Sequence, residues 1–289
     1  MSHQPLNTGK AQNSEFVDRL NIQDKMKKIG QKILVMSGKG GVGKSTISAN
    51  LATALALEGY KVGLIDVDLH GPSIPTMFNI NGKQLRMSES GDILPFPVSD
   101  NLKVISVGLF LESEDQPIVW RGPMKIGMIK QFLKDVEWGQ LDFLIIDSPP
   151  GTGDEPLGVA QQIGKLDGGI VVTTPQEVAA ADVRKNINFA HKLNIPIIGV
   201  LENMNGFTCP HCDEVTYIFK SGGGKQLAAG MEVPFLGSLP IDPEIVEACD
   251  SGKPYVDSFG KTTTAKLFLE MIQPILDNYE KLKAEKKQA

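Results

Sequence analysis

Residues 38–46 have the composition of a loop that binds nucleotide phosphates. An apolar run at residues 33–36 precedes them and predicts a buried strand, and small and apolar residues at 47–57 predict a buried helix. Strand, glycine-rich turn and helix in this order are the context that a phosphate loop requires, because backbone N–H groups and the helix N-terminus then face the anion. The residues predicted to hold the nucleotide here are Gly38, Lys39, Gly40, Gly41, Val42, Gly43, Lys44, Ser45 and Thr46.

Two side chains of this loop predict its chemistry. We expect Lys44 to reach the β- and γ-phosphates of ATP and the Ser45 hydroxyl to coordinate Mg²⁺. Asp147 closes a second apolar run at residues 143–146, where a strand-end carboxylate can hold Mg²⁺ through a water or instead cap the next helix. Residues 149–154 then predict a switch loop that responds to the γ-phosphate.

Asp66 ends another predicted buried strand, at residues 61–66, and Asp68 comes two residues later. A carboxylate at such a strand end can position the attacking water or contact Mg²⁺. A purely structural role for Asp66 remains an alternative.

Cys209 and Cys212 stand two residues apart in the sequence Cys-Pro-His-Cys. Three cysteines are too few for a disulfide framework, so this pair indicates metal, cluster or redox chemistry. Two thiolates fill half of a four-coordinate site, and a second copy of the chain would most simply supply the other two. One [4Fe–4S] cluster or one Zn²⁺ would satisfy this arrangement, and a redox pair or inert thiols remain alternatives. Cys249 lies in a predicted helix and is expected to be a small buried apolar side chain.

Composition narrows the class of protein. The chain has 289 residues, of which 41% are hydrophobic and 22% charged, as in a globular protein. Its net charge of −5 gives no support to nucleic-acid binding. No apolar run approaches the roughly 20 residues that span a bilayer, and residues 1–13 are polar, unlike a signal peptide. We therefore expect a cytoplasmic protein with neither nucleic acid nor membrane as a partner.

Buried strands that alternate with helices predict an α/β fold of three layers, with a mostly parallel central sheet flanked by helices. We expect a flexible lead-in at residues 1–28, with a short helix over 15–28, and a single domain at 29–289. Residues 76–99 predict a surface excursion with little regular structure, and Pro274 is expected to kink or divide a last helix over 263–286. The polar motifs fall at strand ends, where such sheets bind ligands.

The second lysine of the loop, Lys39, resembles the deviant Walker A sequence of the P-loop family that includes MinD, ParA, the arsenite-pump ATPase and the nitrogenase iron protein. The resemblance implies a P-loop NTPase fold and a homodimer in which Lys39 reaches the nucleotide of the other subunit. It also implies that Asp68 polarises the attacking water. Asn203, Pro240 and Asp242 are similar to the family's adenine-recognition positions, although Asn203 could stabilise a turn and Asp242 could cap a helix.

The combined motifs at 38–46, 66–73, 147–154 and 202–212 resemble the Mrp/ApbC group of ATPases over residues 30–275. The resemblance implies a homodimer that hydrolyses ATP slowly, binds a bridging [4Fe–4S] cluster through Cys209 and Cys212, and transfers it to apo iron–sulfur proteins in concert with cluster assembly proteins. The lead-in lacks the cysteines of some relatives and the extra domain of others, which implies a minimal form. A positioning ATPase of the MinD or ParA type, a zinc-bridged ATPase and an electron-transfer reductase remain alternatives.

Overall fold

The computed structural model describes residues 8–69, 71–110, 122–258 and 262–288. A short 3-10 helix lies at Val107–Phe110. The α-helices of these residues are α1 (Thr8–Met26), α2 (Lys44–Leu57), α3 (Ile74–Met77), α4 (Gly122–Asp135), α5 (Asp154–Ile163), α6 (Glu177–Lys192), α7 (Gly223–Gly230), α8 (Pro243–Asp250), α9 (Tyr255–Ser258) and α10 (Thr263–Gln288). Their strands are β1 (Ile29–Ser37), β2 (Val62–Asp66), β3 (Arg86–Met87), β4 (Ile93–Leu94), β5 (Phe96–Pro97), β6 (Leu102–Ser106), β7 (Leu141–Asp147), β8 (Gly168–Thr173), β9 (Ile197–Glu202), β10 (Phe207–Thr208), β11 (Val215–Thr216) and β12 (Phe235–Ser238).

The central sheet has the order β12-β9-β8-β1-β7-β2-β6-β5. All its neighbouring strands are parallel except β5, which runs antiparallel to β6 at the edge. This confirms the predicted α/β class with a mostly parallel sheet. Because β1 lies between β7 and β8, the loop that follows it opens at the middle of the carboxyl edge, where open α/β sheets bind their ligands.

Alternate residues of β1 face the two helical layers, as the pleat of a strand requires. Ile33 and Val35 pack in the apolar cluster that includes α2 and α10. Leu34 and Met36 belong to the cluster on the opposite face, with apolar residues of α1, α4, α5, α6 and α7. The sheet is therefore covered on both faces, and β1 is buried almost throughout.

The amino-terminal segment forms helix α1, whose end packs on the domain. Helix α1 includes Ile22 and Met26, which are one turn apart and both buried in the cluster of α4 and α5. One turn before Ile22, the Asp18 carboxylate forms an ion pair with Lys130 of α4 at 3.0 Å. Apolar residues at four-residue spacing therefore bind the end of α1 to the domain. Residues 1–7 of the expected lead-in lie outside the described part of the chain.

Two other elements differ from the sequence-based expectations. The excursion at 76–99 holds a small two-stranded sheet of β3 and β4, and β5 extends the central sheet. Helix α10 runs without division across Pro274, and its apolar side chains Phe268, Met271 and Ile275 are buried against the sheet. None of the helices in the described residues combines the length and apolarity needed to cross a bilayer.

Candidate nucleotide and thiol sites

The loop after β1 has the backbone of a phosphate loop. Gly41 and Gly43 adopt φ angles of +77° and +85°, a left-handed region that favours glycine. A Cβ at Gly43 would lie 2.3 Å from Nδ2 of Asn203, so this position also has no room for a side chain. The loop lines a cavity of about 380 Å³ together with Asp68 and Pro150. The cavity lies where the glycine pattern predicts an anion.

The Asp147 carboxylate accepts hydrogen bonds from three polar side chains in the first turns of α2. Its Oδ1 accepts from Nζ of Lys44 at 2.8 Å and from Oγ of Ser48 at 2.7 Å, and its Oδ2 accepts from Oγ of Ser45 at 2.6 Å. The structure thus brings together the three residues that the sequence predicts for phosphate and Mg²⁺. Ser48 was not predicted, although its position one helical turn after Lys44 is a signal that could have identified it.

Lys44 is buried among carboxylates. Burial alone would lower the pKa of its ammonium group, but the charges of Asp147 and Asp68 outweigh burial and raise it. The Asp68 carboxylate lies 3.5 Å from Nζ of Lys44. Lys44 therefore stays positively charged, as an anion-binding group must.

Asp66 and Asp68 have different surroundings. Asp66 is fully buried, accepts a hydrogen bond from the Ser106 hydroxyl at 2.8 Å and another from the backbone N–H of Asp68 at 3.0 Å. Burial, followed by the charge of Asp147, which is its register partner across β2 and β7, raises the pKa of Asp66 to about 8. Asp68, by contrast, lines the cavity. This geometry fits a supporting role for Asp66 and a reactive one for Asp68.

The donor set beside the loop fits Mg²⁺, which prefers oxygen ligands. The Ser45 hydroxyl and the Asp147 carboxylate supply two such oxygens within hydrogen-bond distance of each other. The Lys44 ammonium group also contacts the Asp147 carboxylate, and its predicted ligands are the phosphates.

A smaller cavity of about 140 Å³ adjoins the loop and is lined by the residues predicted for adenine. Asn203 lies at its wall and donates from Nδ2 to the carbonyl of Val42 at 3.0 Å, so it also holds the loop. Pro240 lines the same cavity. Asp242 caps α8 by accepting from the backbone N–H of Glu244, and it also accepts from the Tyr255 hydroxyl, each at 3.0 Å. The structural alternatives for Asn203 and Asp242 are therefore real contacts, and both residues border the cavity as well.

Lys39 contacts helix α6 of its own chain. Its Nζ lies 3.4 Å from Oδ2 of Asp182, and Asp182 also pairs with Lys185 at 3.1 Å. The loop lies close to α6 here, because a Cβ at Gly38 would be 2.5 Å from Cβ of Asp182. Sequence reasoning did not identify Asp182, which carries no motif.

Cys209 and Cys212 lie at the tip of the hairpin formed by β10 and β11, distant in sequence from the loop. The backbone N–H of Cys209 donates to the Glu214 carbonyl at 3.0 Å and the N–H of Asp213 to the Cys209 carbonyl at 2.9 Å, which closes a tight turn around the pair. Cys212 is exposed and Cys209 is half-buried, both as free thiols. Hydrogen bonds from the backbone N–H groups of His211 and then Cys212 lower the pKa of Cys209, which favours the thiolate that binds metals.

Two thiols alone do not complete a four-coordinate metal site. In the part of the chain that the structure describes, no three His, Cys, Asp or Glu side chains converge as a metal-binding group. The third thiol, Cys249, is buried in α8, and burial raises its pKa, as expected for an apolar role.

Comparison with known proteins identifies the family of this chain. A family model described as the NUBPL iron-transfer P-loop NTPase of the ParA group matches residues 28–276. The chain belongs to this family. It is 51% identical over 235 residues to the iron-sulfur cluster carrier protein of Methanocaldococcus jannaschii, which covers 81% of each chain. It is 48% identical over 270 residues to the cytosolic Fe-S cluster assembly factor CFD1 of Kluyveromyces lactis, covering 92% of this chain and 95% of the relative.

Solved structures agree with this family. A nucleotide-binding protein from Archaeoglobus fulgidus, solved in complex with ADP, superposes with a TM-score of 0.72 at 38% identity, over 86% of this chain and 98% of the other. The cell division ATPase MinD of Pyrococcus furiosus superposes with a TM-score of 0.59 at 24% identity, over 86% and 99%, and shows the fold alone. The family's fold is therefore the fold of a P-loop NTPase, which confirms the resemblance drawn from the loop.

Proposed function

We propose that two copies of this chain form an ATPase that binds one [4Fe–4S] cluster between their Cys209 and Cys212 side chains and transfers it to apoproteins. The observation that carries the proposal is an accessible thiol pair at a hairpin tip, on a chain that also holds a complete phosphate loop. The names of the relatives, an iron-sulfur cluster carrier and a cytosolic assembly factor, support the same cargo. They also support apo iron–sulfur proteins and assembly factors as partners and the cytoplasm as the compartment.

The residues around the cavity have separate roles in this proposal. The loop backbone and Lys44 bind the β- and γ-phosphates of ATP, and Asp68, which lines the cavity, orients the water that attacks the γ-phosphorus. Ser45 and Asp147 hold Mg²⁺, which neutralises phosphate charge when bound. The products are ADP and phosphate.

Two features support the dimer in this proposal. A four-thiolate cluster needs two copies of the Cys209 and Cys212 pair. Lys39 pairs in the single chain with Asp182, beside the cavity, and we propose that in the dimer it reaches the nucleotide of the other subunit. Hydrolysis is then slow until the dimer, and a protein partner, complete the site.

Nucleotide binding and cluster binding are coupled in this proposal. Each subunit has two arrangements relative to the other, and ATP favours the one in which Lys39 crosses the interface. Since the hairpin tips meet at the same interface, the nucleotide shifts the population in which four thiols converge. Release of the cluster follows hydrolysis.

The test is anaerobic reconstitution with iron and sulfide, followed by iron and acid-labile sulfide analysis and a visible spectrum. We expect about four irons per dimer. Cys209→Ala and Cys212→Ala should each lose the cluster and retain ATP binding. Cys249→Ala is the matched control, because it removes the third thiol of the chain and should retain both properties.

Three outcomes would contradict parts of the proposal. Zinc with no visible charge-transfer band would remove the cluster as cargo and leave the ATPase. Loss of ATP binding together with iron in the Cys209 variant would contradict the separation of roles. Reconstituted protein that cannot reactivate apo-aconitase, a generic cluster acceptor, would contradict transfer.

A further inference from the structure

A groove of about 480 Å³ lies where the small sheet of β3 and β4 meets the edge of the central sheet, and we call it the edge groove. It is larger than the phosphate cavity, which measures about 380 Å³. Its lining includes residues 94–97, which carry the chain from β4 into β5, together with Lys103 of β6 and Glu137. Lys103 and Glu137 stand near the amino ends of β6 and β7, whereas the phosphate loop follows the carboxyl end of β1. The edge groove is therefore separate from the nucleotide site.

The lining of the edge groove is largely apolar. Leu85, Leu94, Pro95, Phe96 and Pro97 all contribute to it. Pro95 and Pro97 have no backbone N–H group, so this edge of the sheet is a poor template for pairing with a further strand. An occupant would therefore be held by side-chain contacts, with burial of apolar groups as the favourable contribution of this lining.

Three cationic side chains border the same groove, namely Lys83, Arg86 and Lys103. In the part of the chain that the structure describes, none of the three forms an ion pair, and Glu137 is the one carboxylate of the lining. The groove is thus positive, on a chain whose net charge is −5. Charge complementarity favours an acidic occupant, because the ammonium and guanidinium groups are available to pair with its carboxylates.

The strand register sets the spacing of two of these cations. Arg86 is the partner of Leu94 across β3 and β4, and Lys103 is the partner of Pro97 across β5 and β6. Pro97 comes three residues after Leu94, which places their backbones at most about 11 Å apart. Because the side chains of strand partners start close together, two carboxylates three residues apart in an extended peptide match this spacing.

We propose that the edge groove binds an acidic segment of a partner protein, whose apolar side chains pack on Leu94 and Phe96 and whose carboxylates pair with Arg86 and Lys103. A peptide fits this lining better than a nucleic acid, whose bases stack on aromatic side chains, because Phe96 is the one aromatic residue of the described lining. The negative net charge of the chain also repels a long polyanion. The inference goes beyond the proposed function, since it involves neither the thiol pair nor the nucleotide.

The test is fluorescence anisotropy of a fluorescein-labelled peptide that carries two copies of the sequence Glu-Val-Val-Glu, titrated with the iron-free full chain in the absence of nucleotide. We expect saturable binding, which Arg86→Glu should weaken by about tenfold. Lys225→Glu is the matched control, because it reverses another exposed cation on α7, at the opposite edge of the sheet, and should match the wild type. Equal ATP binding by the wild type and both variants would show that each chain is folded.

Two altered peptides separate the contributions of charge and apolar contact. Glutamine in place of every glutamate, or serine in place of every valine, should each weaken binding by at least about tenfold. Wild-type affinity of Arg86→Glu, equal binding of either altered peptide, or no saturable binding by the wild type would overturn the inference.

Two other probes distinguish the class of partner. Tighter binding of single-stranded oligothymidylate or of phosphatidylglycerol vesicles, lost in Arg86→Glu, would assign the groove to nucleic acid or to a membrane surface and would also overturn the inference. Failure of the proposed function looks different, since the wild type would then acquire no cluster on reconstitution. It leaves the peptide measurement unaffected, because that measurement uses the iron-free chain.

Discussion

The ammonium group of Lys39 lies 3.4 Å from the carboxylate of Asp182 on helix α6 of the same chain. The pair lies beside the phosphate cavity, which Lys39 also lines. A hydrogen bond from Lys185, and then one from Lys39, lower the pKa of Asp182, so the carboxylate is ionised at neutral pH. If Lys39 acts on the nucleotide of another subunit, it must first leave Asp182.

We therefore expect Asp182→Asn to raise the ATPase rate. The substitution keeps the shape that packs on Gly38 and removes the charge that holds Lys39. Because the pair is partly exposed to solvent, the increase should stay below about fivefold. Phosphate release at saturating ATP measures it. Lys185→Gln is the control, since it removes the other partner of Asp182 and should not raise the rate; an Asp182→Asn rate at or below wild type would contradict the prediction.

We expect Asn203 to contact the adenine base of ATP as well as to stabilise the phosphate loop. Asn203→Ala removes the hydrogen bond to Val42 and the amide that faces the smaller cavity, so we expect about tenfold weaker ATP binding and a smaller loss for GTP. Titration calorimetry with both nucleotides measures the two affinities. An equal loss for ATP and GTP would assign Asn203 to the loop alone.

The raised pKa of Asp66 predicts how the free energy of unfolding depends on pH. Burial raises the pKa of Asp66 to about 8 from the ordinary value of 3.8, so the folded chain keeps a proton that the unfolded chain releases. The stability from this group is full below about pH 4 and is lost as the pH rises through about 8. Wild-type stability should fall between pH 6 and 8 relative to Asp66→Asn, by at most about 1.4 kcal/mol per pH unit.

Urea unfolding without nucleotide or Mg²⁺, at several pH values from 6 to 9, measures this difference. Asp24→Asn is the control, because it changes an exposed carboxylate and should follow the wild-type curve. Parallel pH curves for the wild type and Asp66→Asn would mean that Asp66 is charged in the fold.

Helix α1 should contribute to global stability. Ile22 is 1% exposed and packs between α1 and the adjacent helices, so Ile22→Ala should lower the free energy of unfolding by about 2–4 kcal/mol. Val17 lies on the same helix at 47% exposure, and Val17→Ala should cost less than about 0.5 kcal/mol. Chemical denaturation of both variants tests the difference. Equal stabilities would support the flexible lead-in that the sequence alone suggested.

The fold class and the phosphate loop could both be predicted from the amino-acid sequence alone. Both depend on local patterns: apolar strands of a few residues, helical spacing, and glycines followed by Lys44 and Ser45 before a helix. The strand-end position of Asp147 could be predicted as well, because parallel strands place their carboxyl ends at one edge. The pair Cys209 and Cys212 was recognisable from its spacing.

Which distant residues contact these motifs depends on the folded arrangement of the chain. Ser48 reaches Asp147, Asp182 reaches Lys39, and Asn203 reaches the carbonyl of Val42. The last two contacts join residues more than a hundred positions apart. No local pattern encodes them, because they result from the order of the strands and from the packing of α6 on the loop. The burial of α1 has the same origin, since its helical face finds an apolar partner only when α4 and α5 are in place.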